Sequence, residues 1–317
     1  MEVVHLDDID TLPPFNPADW IGTGKQFTPA LPQQVFAEKQ RQLTIPEANL
    51  THFPSSTLPI AQFIELRLPL QSTEIITTST TLWFSKEPAR DNIQVLLNRP
   101  VPSKEFLTTL DYAFGQAWLD GAQSVVDWRY NDGRERFPLW VISLWKKTGD
   151  IIEWQSLWKR SCRWLHVEKA KSKHENMSHL ICRAEHALAN LGWNVQLCYQ
   201  RGAVSSSVLS GLLSTAWLND EHINMMLEEL AKTLADIPIL ASQIIIAPLA
   251  FTVQINGTAK NKSYTKQNAG LLYKYQQRIA AGIRRIYFPI NVNGDHWIAG
   301  VVDIENQLVG YGTDKSS

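Results

Sequence analysis

Cysteine is scarce in this 317-residue chain: Cys162, Cys182 and Cys198 are an odd number with no CxxC pair. That spacing argues against a disulfide framework or a cysteine zinc site and points to a reducing, intracellular compartment. An excess of either charge is missing too. Thirty basic residues against thirty-one acidic ones leave a formal net charge of -1, so no global field favours nucleic acid or an anionic membrane. No apolar run reaches the about 18 residues of a membrane-spanning helix, and the N-terminus MEVVHLDDIDTLPPF lacks the apolar centre of a signal peptide. Neither membrane insertion nor secretion is expected. No period of roughly 20–50 residues recurs, which speaks against a solenoid.

What is abundant is apolar and aromatic. Hydrophobic residues make up 44% of the chain, enough for a sizeable core, and eight of the twelve tryptophans lie between Trp83 and Trp164. Residues 1–60 hold half of the sixteen prolines and no sustained period, so they read as a poorly ordered, proline-rich leader. Thr- and Ile-rich stretches around Phe63–Leu70 and Ile75–Phe84 suggest strands. Ser103 is a candidate N-cap for a helix whose Phe106, Leu107, Leu110, Phe114 and Trp118 draw one apolar stripe, ended by Gly121. Further helical patterns run from Leu139 to Leu165 and from Met177 to Leu191. Residues 61–204 are thus expected to be a mostly helical region of unassigned role, with a boundary in the small, polar run RGAVSSSV.

The remaining third, 205–317, has more internal order. Asn219 or Asp220 can cap a helix carrying Ile223, Leu227, Leu230 and Leu234. Ile244–Ile246 reads as a strand, NGTAKNKS as a polar loop, and 271–283 as a helix. Three short strands follow, at Ile286–Ile290, Trp297–Ile304 and Gln307–Tyr311, with turns at 291–295 and Glu305-Asn306. His296 opens the second of these strands, a rigid placement suited to a general base. By itself such a residue reads rather as strand-edge packing or a solvated ring. Likewise Trp217 reads as a core tryptophan and Asp220 as a plain helix cap.

Together, WLNDEHIN, then IYFPIN, then GDHW and a hydrophobic strand leading into a hairpin resemble the ubiquitin-like-protein-specific (SUMO-type) cysteine proteases. The resemblance covers about a third of the chain, the N-terminal half of that protease domain. It implies an α+β architecture, with a partial papain-like fold after the helical middle, and an activity: hydrolysis after the Gly-Gly tail of a ubiquitin-like modifier. His296 would be the catalytic base. Trp217 and Trp297 would clamp the two glycines, whose missing side chains alone fit between indole rings, and Asp220 would help hold the modifier. The implied partner is a SUMO-type protein or its conjugates, in nucleus or cytoplasm.

The family's chemistry uses Cys, His and Asp with an oxyanion-stabilising Gln. Cysteine and glutamine would fall beyond this chain's last residue, and the three cysteines present precede Trp217 in helical, apolar surroundings expected to bury them as inert thiols. The expected aspartate position holds Thr313, with Asp314 one residue late. A one-residue slip turns a strand side chain to the opposite face, so Asp314 can serve His296 only from a bulge or loop. The polypeptide is therefore expected to be inactive as it stands, and a non-catalytic modifier-binding module is the alternative. A fragment interrupted within the protease domain is a third reading. Without later strands, GVVDI is expected to be an exposed edge.

No nucleic-acid role is expected, because Lys146-Lys147, Lys159-Arg160 and Arg284-Arg285 are short clusters balanced by acids. The spacings of His166, His174, His179 and His186 contain no close ligand pair, and no metal or other cofactor is expected.

Overall fold

The computed structural model describes residues 15–199, 202–261, 269–294 and 296–312. The fold is α+β and divides into two compact units. One comprises residues up to 55 together with 62–156; the other comprises 56–61 together with 157–317. Among the described residues no helix is long and apolar enough to cross a membrane.

In chain order the helices are α1 (Gln33–Leu43), α2 (Glu47–Leu50), α3 (Ile60–Phe63), α4 (Lys104–Leu119), α5 (Val141–Lys171), α6 (Glu175–Asn190), α7 (Leu209–Leu212), α8 (Asp220–Ala235), α9 (Pro238–Ala241), α10 (Leu249–Asn261) and α11 (Gly270–Ala280). The strands are β1 (Phe84–Ser85), β2 (Ser124–Val126), β3 (Arg136–Phe137), β4 (Gln196–Tyr199), β5 (Gly202–Ser205), β6 (Ile244–Ile246), β7 (Arg285–Val292), β8 (His296–Asp303) and β9 (Leu308–Gly312).

The first unit is built around α4. Ser103 Oγ accepts from the Phe106 N–H at 3.2 Å, satisfying one of the donors a helix start leaves free, and Gly121, at φ +97°, supplies the left-handed residue just past the helix end. The apolar face of α4 buries Leu107, Leu110, Phe114 and Trp118 with Trp83, Phe137 and Trp145. A small antiparallel sheet in the order β1-β2-β3 lines the same core. The side chains of Arg129 and Asp127 are buried there: Arg129 Nε and Nη2 donate to the two carboxylate oxygens at 2.9 and 2.7 Å, and Nη1 donates to Pro100 O at 2.8 Å.

Residues 15–55 depart from the expected leader. Val35 and Leu43 of α1 join the core, Phe15 stacks on Trp118 at 5.8 Å, and the Phe27 ring lies over Gly115, where a Cβ would come within 2.6 Å of it. Irregularly spaced anchors of this kind carry no period, and among them the prolines are the only conspicuous local pattern. The strands expected at Phe63–Leu70 and Ile75–Phe84 are also absent: α3 ends at Phe63, and β1 begins only at Phe84. β-Propensity reports fit to a half-buried surface, and these stretches run largely without strand partners.

The second unit begins its packing earlier than the expected boundary at 205. Within it Trp158 Nε1 donates to Trp193 O at 3.1 Å, and Ser161 Oγ donates to Ser210 O at 2.8 Å, so the second half of α5 belongs with the C-terminal segments. Its principal sheet has the order β6-β7-β8-β9, with β6 parallel to β7 and the other pairs antiparallel. One face of β7 and β8 places Ile286, Phe288, Ile290 and Val302 against Phe251 of α10 and Tyr275 of α11. The polar run NGTAKNKS is not wholly loop, since α10 continues through Asn261. GVVDI is not an edge either, because β8 is paired on both sides; the edge on its side of the sheet is β9, with Val309 and Tyr311 largely exposed.

Candidate functional site

Two short segments meet at the start of β8. Val292 pairs with His296 and Asn291 with Trp297, across a turn in which Asn293 and Gly294 take positive φ. The Gly294 N–H donates to Asn291 Oδ1 at 2.8 Å and fixes that turn. Successive residues of a strand point to opposite faces, so His296 follows the face that carries Phe288 and Val302 while Trp297 takes the other.

The segment before α8 reaches both. The Trp217 ring, 71% exposed, stands edge-on to the His296 imidazole, with centroids 6.2 Å apart and planes at 85°. Trp297 Nε1 donates to Leu218 O at 2.8 Å. Among the described residues no ring contact joins the two tryptophans, and no acidic side chain is bonded to the exposed His296 imidazole. Asp220 is the exposed first residue of α8, placed where a carboxylate is favoured by the helix dipole.

The helix cap is Asn219, of the two candidates, and it is held by a residue the sequence reading passed over. Asn219 Oδ1 accepts from the His222 N–H at 3.0 Å, and His222 Nδ1 accepts from the Asn219 N–H at 3.1 Å, a reciprocal capping box. The usual signature of that box is Glu or Gln at the third helical position, so His222 matched no template. Its ring is 4% exposed, and its Nε2 lies 2.7 Å from Val208 O.

His296, Trp217, Trp297 and Asp220 are thus gathered, while Thr313 and Asp314 lie outside the described residues. None of the cysteines is fully buried as expected, and only Cys162 and Cys182 are helical. Cys182 is exposed on α6 and Cys198 is exposed on β4, while Cys162 on α5 is half-buried, where burial and then Glu185 push its thiol pKa up. None lies on an element carrying the site. Among the described residues no group of three or more metal-ligating side chains gathers. Of the basic pairs, Lys146 meets Asp111, Arg284 meets Glu305 and Arg285 meets Asp303.

Residues 216–311, from beside Trp217 into β9, match the model of the Ulp1 protease family, C-terminal catalytic domain. This segment is related to the Ulp1 proteases. A solved structure of the C-terminal Ulp1 protease domain in complex with Smt3, the yeast ortholog of SUMO, is similar at 21% identity and a TM-score of 0.28. The similarity covers 37% of this chain and 48% of that domain, so the chain spans about half the length of the domain it matches. No curated protein matches the chain.

Proposed function

We propose that the Ulp1-related segment binds the Gly-Gly tail of a SUMO-type ubiquitin-like protein between Trp217 and Trp297, with His296 as the base of a cysteine-peptidase site. The observation that carries this reading is the exposed Trp217 standing edge-on to His296 while Trp297 is tied to the neighbouring Leu218 carbonyl. Two glycines present only backbone, which fits between two indoles and excludes a Cβ. In the peptidase chemistry the imidazole takes the proton of a cysteine thiol, the thiolate attacks the carbonyl carbon of the last glycine, and the proton passes to the leaving amine. Asp314 is the candidate for orienting the ring. Since Cys162, Cys182 and Cys198 lie on α5, α6 and β4, the polypeptide 1–317 is expected to bind without turnover.

Calorimetry of 1–317 with a mature SUMO-type protein tests the reading. Trp217→Ala should weaken binding by about thirtyfold, the effect of losing an aromatic anchor, and removing the terminal Gly-Gly from the modifier should do the same. Absence of binding to SUMO-type proteins and ubiquitin by folded protein would sink the proposal. Modifier cleavage by purified 1–317, abolished in His296→Ala, would overturn the expectation of binding without turnover.

A further inference from the structure

The buried imidazole of His222 is used by neither the clamp nor the base, and its hydrogen bonds allow one protonation state. The Asn219 backbone N–H can only donate and meets Nδ1 at 3.1 Å; the Val208 carbonyl can only accept and meets Nε2 at 2.7 Å. Nδ1 must therefore carry a lone pair and Nε2 the proton, which is the neutral ring. The ring also fills space left by a missing side chain: a Cβ on Gly211 would lie 2.5 Å from His222 Cε1. One imidazole thus ties the start of α8 to the 206–212 segment, and Trp217 sits in the stretch between those two ties.

We propose that neutral His222 is a positioning residue that holds Trp217 opposite His296, and that its protonation releases Trp217; the functional part of this inference rests on the modifier-binding reading above. A proton on Nδ1 would set an N–H against the Asn219 N–H, and the reciprocal cap could not persist. The segment packed against the ring, SSVLSGL at 206–212, brings no charge. Asp220 and Glu221 on the same helix are exposed, and β8 contributes His296 beyond Trp217. Glutamine is the instructive replacement, because at this helix position it reaches back to the N-cap amide without titrating.

The test uses ligand-free 1–317 labelled with 5-fluorotryptophan, in a His296→Gln background so that the neighbouring imidazole contributes no titration. The Trp217 fluorine signal, assigned by its loss in Trp217→Phe, is followed from pH 8 to pH 5 beside the amide exchange of Asn219. The expected result is a Trp217 shift that moves with pH together with loss of Asn219 protection. His222→Gln should keep the high-pH signal throughout, and His222→Ala should show the low-pH signal even at pH 8. A Trp217 signal that does not move, or that titrates identically in His222→Gln, overturns the inference. With His296 restored, His222→Ala should weaken SUMO-type modifier binding at pH 8 by about tenfold, as a lost cap predicts, and His222→Gln should recover most of it. If the wild-type protein binds no modifier, the proposed function fails, while the fluorine titration still decides the role of His222.

Discussion

Arg129 and Asp127 show how much a single buried side chain can cost when its partner goes. With the guanidinium bonded to both carboxylate oxygens and to Pro100 O, Asp127→Ala would leave a buried cation facing an empty place. The expected loss is about 3–5 kcal/mol, read as a drop in the unfolding free energy of amides around β2 and α4 by hydrogen exchange. A cost below about 1 kcal/mol would mean that water reaches the pair. At this scale the sequence was readable where a side chain's role follows from the strand or helix that carries it. His296 at the head of a strand and Ser103 before a helix belong to that class. His222 was not readable, because what defines it is a carbonyl fourteen residues away and a glycine that makes room for its ring. The exposure of Cys182 and Cys198 depends likewise on which faces of α6 and β4 meet neighbours.

The β8–β9 hairpin is tied at its closed end by Asp303. Its carboxylate accepts from the Asn306 backbone N–H at 3.0 Å, from Arg285 Nε at 3.0 Å and from Asn306 Nδ2 at 3.1 Å. These bonds, the Asn306 amide first and Arg285 next, hold the Asp303 carboxyl below its ordinary range. A folded-state value lower than the unfolded one stabilises fully above the ordinary aspartate pKa of about 4 and is lost as pH falls through the folded value. Amide protection in β9 should therefore fall below about pH 4, and Asp303→Asn should lower it at neutral pH and abolish this acid step. An unchanged acid profile in Asp303→Asn would assign the step to another group. Elements with a clear period, α4, α5, α6, α8 and β7 to β9, were legible in the sequence. Those defined by isolated anchors, such as α1, or by the absence of a strand partner, such as Phe63–Leu70, were not.

On the scale of the whole molecule, one apolar cluster of the described residues gathers around Trp83 and Phe114 and another around Phe251 and Phe288. Trp83 packs on Phe106 at 4.6 Å and on Trp145 at 6.1 Å. Trp83→Ala is expected to cost about 3–5 kcal/mol in the first cluster, measured by hydrogen exchange across α4 and β2, with β7 and β8 unchanged. Equal loss in both regions would show one cooperative core. The C-terminal family relationship was visible as a string of short motifs, whereas the division into units was not. The reason is that segment 56–61 packs with residues far along the chain: Ile60 N–H donates to Leu191 O at 2.9 Å, Trp193 N–H to Leu58 O at 3.0 Å and Asn194 N–H to Ser56 O at 3.1 Å.

That threading has a consequence in time. A chain leaving the ribosome would present residues 56–61 about 130 residues before 191–194 exist, a wait of roughly 6–26 s at the usual pace of about 5–20 residues per second. Residues on both sides of the segment can begin to fold during that interval. The six residues themselves must stay unclaimed until their distant partners are translated, and a pause in synthesis between them would lengthen the period in which another chain could claim them first.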